Sequence, residues 1–446
     1  MSYYRRNTSA PYSTGDRAKE SAKSLLADVK QAVFGKGEPL DLGRKHRPKY
    51  SIFTLVAILL LIGMLVIFSI APGQNWQSTG TTEAYFIARQ FLYLIVGLVA
   101  FVVSSKVPLD FWRKFSGWIL VLAFSACVFL IIASMLNLPI AIGANGAVRW
   151  LSLGPLGTFQ PAEFMKFAIM IFSATFLTDA SRRGDLDSAK KTLLPLGVIV
   201  ILALAIIVFF QSDLSSGAVL ISIVLSQLIL SGMRWRNIIL SLAPLAIGAV
   251  AAIAIAPYRL GRIATFLEGG NTDQWDQISL ALMSLGSGGL FGKGLGQSVG
   301  AFGWVPEALN DAIFPIIGET FGYVGVMVIL TVFAALIIRI LSLTNYLPNM
   351  FLRLAVAGAF GWVASQTIIN IGAMTGVLPV TGITLPFLSF GGSSMLFLML
   401  AMGVVFGISR YTSHRKINFK QEDLGGEDSL RRGRVGRTRY SNDRGY

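Results

Sequence analysis

Cysteine and histidine are almost missing from this chain. The single cysteine, Cys127, falls inside an apolar run, so it offers neither an intramolecular disulfide nor a cysteine-rich metal site. The two histidines, His46 and His414, lie just outside the outermost apolar runs, which excludes a histidine-based triad or a His-ligated zinc centre. Charge is scarce too: 14% of the residues, where a soluble domain carries about 25%. A charge placed in hydrocarbon is costly, so this shortage excludes an ordinary soluble domain. With 54% hydrophobic residues and a mean hydropathy of +0.64, the composition predicts an all-α integral membrane protein.

The charge that remains is strongly positive, +15 net over 446 residues. Its position argues against nucleic-acid binding, because much of the excess sits in two polar tails and in short loops between apolar runs. Residues 1–50 read as a disordered basic tail and 411–446 as a second one, rich in Arg and Gly. Between them, runs of spanning length fall near 51–71, 84–105, 112–136, 161–180, 193–211, 214–233, 237–257, 312–338, 350–376 and 393–410. Alternate loops carry Lys106, Arg113 and Lys114, then Arg182, Arg183, Lys190 and Lys191, then Arg234 and Arg236, then Arg339 and Arg353. About ten spans put all four loops on the side of both tails, and the positive-inside rule makes that side cytoplasmic.

The opposite face has long connections, near 137–160, 258–311 and 377–392, rich in glycine, proline and polar groups. Connections this long are usually functional or disordered. Their apolar and aromatic content predicts structured, partly re-entrant segments around an outward cavity, with a long structured outer loop between spans 7 and 8.

Chemistry can then be sought on that face. Pro306 suits a helix start, which would set Glu307 and Asp311 one turn apart on one face. A carboxylate at the mouth of a membrane helix is a functional candidate, against a salt bridge to Arg259, Arg262 or Lys293. Pro161 marks a second start, with Glu163 and Lys166 at ion-pair spacing. Arg149 could grip phosphate bidentately or anchor at the interface. Asp213 could cap the following helix or join a shared polar cavity. The run Gly286–Ser298 resembles a phosphate loop, yet Ser287 and Gly294 stand where Walker A needs Gly and Ser or Thr. Lys293 or backbone N–H groups could still meet phosphate. Pro386 and Gly391–Ser394 break the chain at membrane depth, tolerated only beside protein or a cavity.

In order, Arg149-Trp150, Gln160-Pro161-Ala-Glu163, Gln211–Asp213, Ser287–Gly296, Pro306-Glu307-Ala with Asp311, and Leu385-Pro386 through Gly391-Gly-Ser-Ser394 resemble the SEDS family (shape, elongation, division and sporulation). The resemblance covers about 51–410 and is nearer to FtsW than to RodA. It implies a peptidoglycan glycosyltransferase of the bacterial cytoplasmic membrane that polymerises lipid II into a nascent glycan strand on the extracytoplasmic face. It further implies a class B penicillin-binding protein and other division proteins as partners. By the same resemblance Asp311 is the general base, and Arg149, Gln160, Glu163, Lys166, Asp213, Lys293, Glu307 and Ser393 are substrate-site residues. A divalent cation, Mg or Mn, could assist the departing diphosphate; no nucleotide, haem or flavin is implied. Leu309, Asn310 and Ser212 depart from the family pattern, which has His, Thr and Pro there. A lipid flippase or transporter and a non-catalytic division scaffold are the competing expectations.

Overall fold

Over their described residues all ten apolar runs are mainly helical, because backbone groups in hydrocarbon must be bonded within their own segment. The computed structural model describes residues 45–73, 83–144, 147–154, 157–255 and 273–413. Most of both tails therefore lies outside the described residues, as do His414, Arg259 and Arg262. Eleven α-helices run through the described part: α1 (Tyr50–Ile70), α2 (Glu83–Lys106), α3 (Leu109–Met135), α4 (Pro161–Arg182), α5 (Leu194–Ala205), α6 (Leu214–Leu230), α7 (Trp235–Ile255), α8 (Asp273–Ser287), α9 (Ile313–Thr344), α10 (Met350–Met374) and α11 (Gly392–Ile408). Eight helical segments among the described residues are long and apolar enough to cross a membrane. This is a multi-pass membrane protein. α6, at 17 residues, is shorter, and α7 contains Pro244.

The helices form an inner group and an outer one. Of the apolar stretch of α4, 83% lies inside the protein, against 22% for α9. α4, α6 and α10 pack together at the centre, while α2 lies along α11 and α9 along α1 and α10. Apolar side chains that point outward, such as Leu61, Val99, Trp118 and Leu122, suit contact with lipid chains.

Main-chain and side-chain contacts join the basic loops in two groups. His46 N donates to Arg410 O at 2.7 Å and Lys49 N to Ser409 Oγ at 3.1 Å, joining the start of α1 to the end of α11. Lys49 Nζ sits 4.3 Å from the Tyr346 ring centroid beyond α9. Asp187, between α4 and α5, accepts from Asn237 Nδ2 and pairs with Arg234 at 3.4 Å.

Two findings depart from the sequence expectations. The 137–160 connection is a three-stranded antiparallel sheet, β1 (Ala141–Ala144), β2 (Ala147–Ser152) and β3 (Thr158–Phe159), so the fold is not purely α. Ala141 faces Leu151 and Leu151 faces Phe159. Short strands beyond the helix ends satisfy their polar groups against each other, which lipid-exposed strands could not. Second, Pro306 does not start a helix. Glu307 has φ +54°, outside the helical region, and α9 begins only at Ile313. The intervening turn closes through Asn310 N and Ala312 N, both donating to Glu307 O. Glu307 and Asp311 therefore do not share a helical face.

The 377–391 segment is re-entrant as expected. A Cβ added to Gly63, midway along α1, would stand 2.8 Å from Leu388 Cα, so the main chains touch and no side chain fits between.

Candidate active site

Asp311 ends the turn before α9 and is 6% exposed, enclosed by protein rather than facing lipid. Its seat is made by main-chain clamps. Asn370 Nδ2, on α10, donates to Asp311 O at 2.8 Å and to Ile383 O at 2.6 Å, stitching the Asp311 turn to the re-entrant segment. Phe390 N donates to Leu309 O at 2.9 Å. The carboxylate faces Gly382, whose φ is +68° and which is itself exposed; a Cβ there would lie 3.8 Å from Asp311 Oδ2. The approach to the carboxylate thus opens across a residue without a side chain.

On the other side of that segment stands Asp213, the N-cap of α6. Its Oδ1 accepts from Ser216 N at 2.9 Å and Ser215 Oγ at 3.0 Å. Ser215 Oγ is also 2.9 Å from Thr381 O, beside Gly382, so its one proton is shared between Asp213 and that carbonyl, and both Asp213 and Asp311 are tied to the 381–382 stretch. Gln160 Nε2 donates to Asp213 Oδ2 at 3.2 Å, and Gln160 N to Ser393 Oγ at 2.9 Å. Ser393 Oγ in turn donates to Thr158 O on β3. Gln160, Asp213, Ser393 and Asp311 are thereby gathered around one re-entrant strand of chain. Among the described residues no group of three or more Asp, Glu, His or Cys side chains converges as metal ligands.

Arg149, on β2, meets main chain. Its Nε donates to Gln211 O at 3.1 Å and its Nη2 to Ser212 O at 2.8 Å, so the fork braces the turn that presents Asp213. Ser212 has φ +51°, a region the proline ring cannot reach, which fits serine standing where the family pattern has proline.

Glu163 and Lys166 form a buried ion pair, Nζ to Oε1 2.6 Å, with the lysine side chain fully enclosed. Lys166 Nζ also lies 5.3 Å from the Trp362 ring centroid. From there a polar line runs up α10 at four-residue spacing. Trp362 Nε1 donates to Gln366 Oε1, Gln366 Nε2 donates to Thr384 O at 2.9 Å, and Asn370 reaches Asp311. Sequence reasoning missed this line. Its signal was present as Trp, Gln and Asn recurring at i, i+4, i+8 in an apolar run.

The side chains of Lys293 and Glu307 bond to other partners. Glu307 is exposed, and its Oε2 accepts from Asn310 Nδ2 at 2.6 Å. Lys293 Nζ is 2.6 Å from Glu319 Oε1, an acid within α9 that the sequence reading passed over although an acid inside a span is a functional candidate. Buried Glu319 also accepts from Ser284, Ser298, Val299 N and Gly300 N. The glycine run is explained by contact with this part of α9: Lys293 N and Gly294 N donate to Glu319 O and Thr320 O, beside the break at Gly322 (φ +67°). Those two amides are used within the chain.

A bundle of membrane helices with a broken re-entrant segment, and acids gathered at its non-basic mouth, defines a polytopic membrane protein with an enclosed polar site. Residues 49–414 match the model of the FtsW, RodA and SpoVE family, described as a cell cycle protein. The chain belongs to this family. It is 33% identical over 380 residues to stage V sporulation protein E of Bacillus subtilis (strain 168), covering 83% of this chain and 99% of that one. It is 33% identical over 365 residues to the probable peptidoglycan glycosyltransferase FtsW of Coxiella burnetii, covering 80% and 94%. In fold it is similar to a chain from a structure described as "Structural coordination of polymerization and crosslinking by a peptidoglycan synthase complex" (TM-score 0.61, 24% identity, 81% and 98% covered). It is likewise similar to the rod shape determining protein RodA of Thermus thermophilus (TM-score 0.55, 24% identity, 81% and 97% covered).

Proposed function

We propose that this chain is an inverting peptidoglycan glycosyltransferase that polymerises lipid II in cell division, with Asp311 as general base. In this scheme ten spans cross the bacterial cytoplasmic membrane, both termini are cytoplasmic, and the Asp311 mouth is extracytoplasmic. The relatives named as peptidoglycan glycosyltransferases support the activity. The basic loops, exemplified by Arg339 at the end of α9 opposite to Asp311, support the orientation.

The observation that carries the chemistry is the seat of Asp311: enclosed by protein, fixed through its own carbonyl, and approached across Gly382. A base so fixed takes the proton of the acceptor sugar hydroxyl as that oxygen attacks the anomeric carbon of the lipid diphosphate. The new C–O bond forms while the bond to the diphosphate oxygen breaks. The diphosphate leaves with the electron pair, and the configuration inverts. Gln160, Asp213 and Ser393 shape the neighbouring wall. A class B penicillin-binding protein is the partner that crosslinks the strand, in keeping with the fold similarity to a peptidoglycan synthase complex.

Purified lipid II incubated with the full chain and its transpeptidase partner tests this. Asp311→Asn removes the base but keeps the shape, and is expected to slow polymerisation by roughly 10²–10⁴-fold. Polymer formed by the Asp311→Asn variant at the native rate removes Asp311 from the mechanism. No polymer from either protein, with lipid II crossing vesicle membranes instead, favours the flippase.

A further inference from the structure

A second site lies on the basic face, far from Asp311 in the fold. The segment preceding α1 and the end of α11 enclose an open pocket of about 510 Å³. Lys45, His46 and Arg47 line it from the first, Arg410 from the second, and no carboxylate takes part among the described residues. The main chain fixes these groups together, since His46 N is bonded to Arg410 O and Lys49 N to Ser409 Oγ. The cations are thus held in one pocket instead of being strung along a loose tail.

The other wall is aromatic. Tyr50, which is exposed, and Phe406 line the pocket with ring centroids 5.8 Å apart. The Arg410 guanidinium lies 5.8 Å from the Phe406 ring centroid. Phe53, one turn along α1, continues the wall toward the bilayer, 6.2 Å from Phe406. Both helices enter hydrocarbon at this level, so the polar part of the pocket sits at headgroup depth and the aromatic part at the first acyl carbons. A soluble anion would use only the cations. A ligand that carries a phosphate diester and an apolar tail uses both walls.

We propose that this pocket binds an anionic phospholipid of the cytoplasmic leaflet, with its phosphate among Lys45, Arg47 and Arg410 and its acyl chain along Tyr50, Phe406 and Phe53. Basic pockets at helix ends on the cytoplasmic side have the charge and depth for such headgroups. Arg supplies planar, paired donors that match phosphate oxygens.

The test is native mass spectrometry of the full chain released from detergent micelles doped with cardiolipin, phosphatidylglycerol or phosphatidylethanolamine. Wild type is expected to retain the two anionic lipids and not the zwitterionic one. Arg47→Gln with Arg410→Gln should bind cardiolipin about thirtyfold more weakly, the fold-change for two juxtamembrane charges. Lys106→Gln with Lys190→Gln, which removes the same charge outside the pocket, should retain cardiolipin like wild type. If the Arg410 variant does not fold, Lys45→Gln with Arg47→Gln changes only the segment before α1 and must give the same loss. Displacement of cardiolipin by millimolar inorganic phosphate would show a free-anion site and overturn the lipid assignment. Equal retention of phosphatidylethanolamine, no lipid on wild type, or equal loss in the Lys106 and Lys190 variant would overturn it as well.

Discussion

Replacing Lys166 by Met asks what the buried pair on α4 does. The lysine side chain is fully enclosed and its ammonium is 2.6 Å from Glu163 Oε1, so the replacement strands a carboxylate in the protein interior. Among the described residues Glu163 Oε2 has no hydrogen-bond partner to take up that charge. Breaking a buried pair on one side costs about 3–5 kcal/mol, whereas replacing both members by apolar side chains of similar volume is often neutral or better. Lys166→Met alone should therefore lower the melting temperature by roughly 3–5 °C, because each kcal/mol is worth about 1 °C in a chain of 446 residues. Lys166→Met with Glu163→Met should recover most of it. The assay is thermal unfolding of detergent-solubilised protein followed by tryptophan fluorescence, run as a double-mutant cycle. A single mutant that melts with wild type, or a double mutant as unstable as the single, would refute the view of the pair as a buried charge balance. Polymerisation by the stable double mutant adds a separate reading. Near-native turnover would leave the pair structural, and loss of turnover at normal stability would assign it to the substrate path.

Ser212→Pro should uncouple the α5–α6 turn from Arg149, because the residue sits at φ +51° and proline is held near −65°. Two charge-assisted bonds at about 1.5–3 kcal/mol each are at stake, read as lower thermal stability and slower polymerisation, while Ser212→Gly should be tolerated. Glu319→Ala removes the acceptor shared by Ser284, Ser298, Lys293 and two backbone amides, and should cost about 3–5 kcal/mol. Hydrogen exchange should then speed up at the Val299 and Gly300 amides, and unchanged protection there would count against the network. Gly382→Ala sets a methyl 3.8 Å from Asp311 Oδ2 at a backbone φ of +68°. Its expected signature is a raised KM for lipid II with a stability loss of about 1 kcal/mol. An unchanged KM would mean that substrate reaches Asp311 from another side.

The membrane helices were legible because spanning length and apolar content are properties of contiguous sequence. Pro161 was a sound signal, since Gln160 is extended and α4 begins at the proline. Pro306 misled because the next residue adopts a left-handed conformation, which no local pattern announces for a glutamate. The sheet was hidden in strands of two to six residues whose pairing is set by turns. What surrounds Asp311 was harder still. Asn370 and its acceptor are 59 residues apart, and Gln160 and the Ser393 hydroxyl 233, so their meeting is a product of helix packing.

The way Asp311 is held also bears on the two departures next to it. Leu309 and Asn310 replace the His and Thr of the family pattern, a change that could disturb the Asp311 carboxylate if their side chains positioned it. The clamps run through other atoms. Phe390 N takes the carbonyl of Leu309 and Asn370 takes the carbonyl of Asp311, and any residue supplies a main-chain carbonyl. Leu309 is buried, and the Asn310 amide turns away to Glu307. Substitutions at 309 and 310 therefore change what lines the approach without releasing the carboxylate. Asn370→Leu should do the reverse, leaving every lining group intact while freeing the turn. It is the variant in which kcat should fall with KM for lipid II little changed, and a rise in KM at constant kcat would show that Asn370 serves binding instead.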